Sequence, residues 1–151
     1  MKNRGPSEEF FELRELLDKF SNMKDLYEGK DEKSGKLNVE ILIPTLNNFG
    51  RYLAKTAGLK TSQIRKFFDT VKNIQNELRR KDVTDGEIRQ KVIRLKPALA
   101  YATARQKKQM QHFADIMYMA IERTKTVKDF DYFVEFLEAI VAYHKYHGGK
   151  D

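Results

Sequence analysis

Apolar side chains recur at steps of three and four along almost the whole chain, and only three prolines and eight glycines interrupt them. A spacing near 3.6 gathers such side chains on one side of a helix, whereas a half-buried strand requires alternation, of which there is none. The pattern predicts an all-α fold. At 151 residues the chain is long enough for a core of its own, so residues 1–151 read as a single helical domain, a bundle of five or six helices.

Phe10, Leu13, Leu17 and Phe20 form the first stripe, with Ser7 placed to cap it. Residues 25–36, from Asp25 to Lys36, hold Gly29, Gly35 and charges of both signs, and read as a mobile loop. The stripe resumes at Val39, Leu42, Leu46, Phe49 and Leu53; Pro44 is expected to start or bend this helix and Gly58 to end it. Thr61 or Ser62 caps the next helix, whose buried face is Ile64, Phe67, Phe68, Val71, Ile74 and Leu78. Thr84 with Glu87 makes a capping box for a short helix through Ile88, Val92 and Leu95. Pro97 suits the first turn of one long helix that runs through Leu99, Ala102, Met110, Phe113, Met117 and Ala120 to about Arg123. Thr126 with Asp129 opens the last helix, which Gly148 and Gly149 stop near His147. That helix is apolar on two adjoining faces, Phe133, Leu137, Ile140, Val141 and Tyr132, Phe136, Ala139, Tyr143. It is either a central helix or one that meets another subunit.

Charge is distributed as unevenly as apolarity is evenly. Residues 51 to 112 hold 16 Lys or Arg against 5 Asp or Glu, a surplus of 11 in a chain whose net charge is +7, so both flanks are net acidic. A basic sector threaded through helices, rather than gathered in a tail, points to a face for a polyanion, and nucleic acid is the obvious one. Arg51 and Lys55 lie four apart, Arg65, Lys72 and Arg79 recur every seven residues, and Tyr101, Arg105, Lys108 and His112, at steps of four, three and four, form one row along the long helix. Such cations make charge-assisted hydrogen bonds to phosphate oxygens, and a Tyr or His adds a ring for stacking.

Other chemistries find little support. The chain has no cysteine, hence no thiolate site or Cys nucleophile, and no apolar run approaches a membrane span, so a cytoplasmic location is expected. Gly29 to Lys36 misses the phosphate-loop spacing by one residue and has Leu37 where Ser or Thr is required. His144 and His147 are three apart but lack a third ligand, and no Glu-x-x-His pair is present, so no metal or other cofactor is expected. The acids within the basic sector, Asp69, Glu77, Asp82, Asp85 and Glu87, each have a pairing or capping position to fill, which leaves no cluster for Mg²⁺ and no sign of an enzyme.

Two stretches carry a resemblance. Leu59-Lys60-Thr61-Ser62-Gln63-Ile64-Arg65-Lys66-Phe67-Phe68 and Leu95-Lys96-Pro97-Ala98-Leu99-Ala100-Tyr101-Ala102-Thr103-Ala104-Arg105 resemble the signature segments of the small subunit of type III-A CRISPR effector (Csm) complexes, with departures at Ala98 and Thr103. The resemblance covers about Leu46 to Phe113, and the first and last helices match only in being helical. It implies a non-catalytic helical protein that contacts guide RNA and target RNA through basic side chains, beside other subunits and copies of itself, in antiviral defence. On this chain it implies an RNA face lined or supported by Arg65, Lys66, Lys96, Tyr101 and Arg105, to which spacing adds Arg51, Lys55 and Lys108. The rivals are a free-standing helical DNA-binding protein reading a duplex groove and a helical ribonuclease using His112 near Arg105.

Overall fold

A computed structural model describes residues 8–150, and among these every regular element is helical apart from one isolated antiparallel bridge, Lys30 to Leu37. The order is α1 (Glu8–Asp18), α2 (Met23–Glu28), α3 (Asn38–Tyr52) continued by a π-helical turn (Leu53–Ala57), α4 (Thr61–Leu78), α5 (Asp85–Ile93), α6 (Leu95–Arg105), α7 (Lys107–Glu122) and α8 (Val127–Tyr146). The all-α bundle expected from periodicity is the architecture observed. Two events add segments to the six the spacing suggests: α2 forms, and the long helix breaks in two.

The stripes read from the sequence are the buried faces. Leu13 and Leu17 of α1, Leu42, Leu46 and Phe49 of α3, and Ile64, Phe67, Val71 and Ile74 of α4 are buried, as are Phe113 and Met117 of α7. α8 runs through the middle, against α2, α3 and α4, with Phe133, Phe136, Leu137 and Ile140 buried and Tyr132, Ala139, Val141 and Tyr143 half-buried. Its two apolar faces therefore meet its own neighbours, and each fully buried ring or Leu contributes about 2 kcal/mol of transfer free energy. α3 and α8 approach so closely that a Cβ on Gly50 would stand 2.6 Å from the Cβ of Tyr143 and 2.9 Å from the backbone nitrogen of His144.

Caps behave largely as their chemistry dictates. The Thr84 hydroxyl accepts from the Glu87 amide at 3.1 Å while a Glu87 carboxylate oxygen accepts from the Thr84 amide at 3.2 Å, and the Thr126 hydroxyl accepts from the Asp129 amide at 3.0 Å. Gly58, at φ 70°, ends the α3 run in the left-handed region, and Gly148, at φ 90°, ends α8 in the same way. The proposed cap Ser7 lies outside the described residues.

Four expectations need correction. Residues 25–28 belong to a helix, because Asn22 caps it (Asp25 amide to Asn22 Oδ1, 2.8 Å) and Met23, Leu26 and Tyr27 bury a small apolar face that a reading of charge and glycine overlooks. Pro44 does not start α3 but sits inside it, the position from which a helix is bent, and the start is set at Leu37 by Glu40 accepting the Leu37 amide at 3.0 Å. Neither Thr61 nor Ser62 caps α4: the cap position is Lys60, whose amide donates to Gln63 Oε1 at 2.8 Å. Finally, the helix after Pro97 is not continuous. Gln106, at φ −137° and ψ 50°, leaves helical space, and α6 turns to pack against α7 and α4.

Candidate nucleic-acid interface

The fold of α6 onto α4 opens a cleft of about 410 Å³ between the two stretches singled out in the sequence. From α4 come Ser62, Gln63, Lys66, Phe67 and Thr70; from α6 come Ala98, Leu99, Tyr101, Ala102 and Arg105; Gln106 and Met110 close the end. Phe67, Leu99 and Met110 are buried and form an apolar floor, with the Phe67 ring held edge-on by Phe113 at a centroid distance of 5.9 Å. Lys66 and Arg105 stand on opposite walls. Tyr101 is 67% exposed at the mouth, and the Arg105 guanidinium lies 5.8 Å from its ring centroid, within cation–π range.

Of the eight side chains singled out in the sequence, three meet here: Lys66, Tyr101 and Arg105. Arg65 is exposed on α4 next to Lys66 but does not line the cleft, and Lys108 is exposed on the first turn of α7. Among the described residues none of Arg65, Lys66, Arg105 or Lys108 has a carboxylate within ion-pair distance. Lys96 differs, since it is paired with Glu122 and holds that carboxyl below its ordinary range. Arg51 and Lys55 gather elsewhere, at the end of α8, where their charge adds to burial in pushing the His147 pKa down. The row Tyr101, Arg105, Lys108, His112 does not exist as one line, because the break at Gln106 falls within it.

The model of the family described as Csm2 Type III-A matches residues 36–150. The chain belongs to that family. It is thus a subunit of a type III-A CRISPR effector complex, a ribonucleoprotein. The match takes in both cleft-forming segments and extends past Leu46–Phe113 to include the whole of α8. No curated protein and no solved structure matches the chain.

In this family member part of the basic sector does internal work. Arg89 donates from Nη1 to the carbonyls of Ile121 at 2.5 Å and Thr124 at 2.7 Å, closing the C-terminal end of α7 where carbonyls lack helical partners. Arg123, outside that sector, does the same for α1, from Nε to Leu17 at 2.8 Å and Phe20 at 2.9 Å. Lys72 pairs with Glu138 at 3.5 Å and Lys91 with Glu77 at 3.0 Å. The local surplus of cations is therefore only partly available to an outside anion. A clue lay in the sequence, in an arginine at an apolar step: Arg89 is next to buried Ile88 and three before buried Val92.

The histidines are built into the packing. His112 stacks on Phe10 at 4.2 Å, its Nδ1 is 2.7 Å from the Tyr52 hydroxyl, and burial lowers its pKa. His144 is buried with Nε2 2.5 Å from the Leu59 carbonyl, while His147 reaches Asn47 Oδ1 at 2.6 Å. His144 and His147 thus face different partners, and no group of three or more His, Asp or Glu among the described residues is placed to hold a metal. No helix among the described residues is long and apolar enough to cross a membrane.

Proposed function

We propose that this chain is a non-catalytic RNA-binding subunit of the type III-A ribonucleoprotein, holding guide RNA and target RNA by their phosphates along the face that Lys66 and Arg105 present. The observation that carries the reading is the meeting of these two unpaired cations, from separate segments, across one cleft with Tyr101 at its mouth. A protein donor opposite each phosphate neutralises charge and releases counterions, so affinity is gained without reading sequence. Exposed Arg65 on α4 and Lys108 on the first turn of α7 are further contacts, and Arg51, Lys55 and Lys96 are secondary contributors, the last only if Glu122 releases it. Cleavage belongs to other subunits, beside which this one stacks with copies of itself in the cytoplasm.

The test is RNA binding by the full chain as a function of salt. Substituting Lys66→Ala and Arg105→Ala together should weaken binding equally for unrelated RNA sequences and flatten the log–log salt slope by about 0.7 per lost contact. An unchanged slope would reject the assigned face. The DNA-binding rival predicts instead a strong preference among duplex DNA sequences in competition. Labelled RNA incubated with the protein and Mg²⁺ should remain intact.

A further inference from the structure

Neutralising phosphates does not call for an apolar hole. The cleft between α4 and α6 nevertheless has an apolar floor, a capacity of about 410 Å³ and cations on its walls, a size within the range of about 300–1,000 Å³ found for small-molecule sites. We propose that this cleft seats one unpaired nucleobase of the RNA, so that the surface takes hold of a base as well as of the backbone. The proposal rests on the RNA-binding reading above and specifies what enters the site.

The lining matches the chemistry of a single nucleotide. A base is flat, apolar on its faces and polar at its edges, and the site offers Phe67, Leu99 and Met110 beneath with the exposed ring of Tyr101 at the entrance. Aromatic platforms of this kind accept any base, because every base has a π-face. A base inside the cleft leaves its flanking phosphates at the mouth, where Lys66 and Arg105 stand. The polar groups along the walls are few and lightly committed. Gln63 uses Oε1 to accept the Lys60 amide at 2.8 Å, which leaves its amide NH₂ free, and Gln106, although it is the cap position of α7, makes no side-chain cap bond. Thr70 already donates its hydroxyl to the Lys66 carbonyl at 3.1 Å, so it can only accept. Such a set can meet a base edge or a ribose hydroxyl without imposing a fixed donor and acceptor pattern. A partner's apolar side chain would suit the floor equally, but it gives no role to two unpaired cations at the rim.

The experiment compares two polyanions of equal length and charge, an oligouridylate and an abasic ribose-phosphate chain, titrated against the full-length protein at several salt concentrations. The wild-type chain should bind the base-bearing strand about tenfold tighter, the scale of a single stacked base. Ala98→Trp, which fills the cleft from an exposed position, and Tyr101→Ala, which removes its entrance ring, should each bring that ratio toward one. A folding defect would lower both affinities together, so the ratio is the readout. Equal wild-type affinity for the two chains, with a steep salt slope, would overturn the base site and leave the phosphate face standing. No salt-dependent binding of either chain would remove both. A tenfold ratio that neither substitution changes would place base contacts elsewhere and overturn the proposal. So would equal affinities combined with loss of co-purifying complex subunits in Ala98→Trp, which would assign the cleft to a protein side chain.

Discussion

His144 illustrates how a single side chain can set the behaviour of its surroundings. It is 1% exposed and its Nε2 proton is taken by the Leu59 carbonyl, so Nδ1 is left as a lone pair with no partner among the described residues. A second proton would have nothing to bond with, because Gly149 packs directly on the ring: a Cβ there would lie 2.1 Å from Cε1. Burial accordingly pushes its pKa below the ordinary histidine value, and the same cause lowers His112. The unfolded chain then holds more protons than the fold just below pH 6.5, so the stability these neutral rings confer is complete above about pH 6.5 and drains away on acidification. Urea unfolding across a pH series should show a loss of up to about 1.4 kcal/mol per pH unit from His144 alone, setting in before the carboxylates begin to titrate. A flat profile between about pH 6.5 and 5 would contradict this account. The sequence could supply the histidine but not its neighbour: Leu59 and His144 meet only once α4 and α8 are assembled.

At the level of helices, legibility followed the locality of the cause. Thr84 with Glu87 and Thr126 with Asp129 act within four residues, and both caps formed where the sequence placed them. The break at Gln106 had no such marker, since residues 102 to 108, AlaThrAlaArgGlnLysLys, contain neither Gly nor Pro and, Thr103 aside, are good helix formers. It is imposed by packing, which turns Leu99 of α6 toward Phe67 of α4 and thereby creates the cleft that a straight helix would lack. The roles of individual cations were hidden for the same reason. Charge counting treats Arg89 and Lys66 alike, yet Arg89 serves the last carbonyls of α7. Arg89→Gln should therefore cost about 1–3 kcal/mol of stability, seen as a lower Tm, with the RNA salt slope preserved. Lys66→Gln should do the reverse. If both variants moved the same observable, the division between internal and outward-facing cations would be wrong.

For the molecule as a whole, residues far apart in sequence hold the start of α4, the helix that forms one wall of the cleft. The Lys150 carbonyl accepts the Thr61 amide at 2.6 Å and the Gly149 carbonyl accepts the Thr61 hydroxyl at 3.2 Å, so the tail after α8 completes the first turn of α4. Removing residues 149–151 should lower stability by about 1–3 kcal/mol and speed hydrogen exchange in residues 63–66, the part of α4 that supplies Gln63 and Lys66. Protection unchanged there would show that the tail merely rests on the bundle. The basic sector was readable as a whole and its two key stretches were identifiable, whereas their convergence lies in the turn at Gln106 and the packing of α6 on α4. There is a practical corollary for anyone who immobilises this protein. Anchoring the chain through the residues that follow α8 would load the two hydrogen bonds they make to Thr61, so a sensor chip coated through that end would disturb the first turn of the helix that carries Lys66.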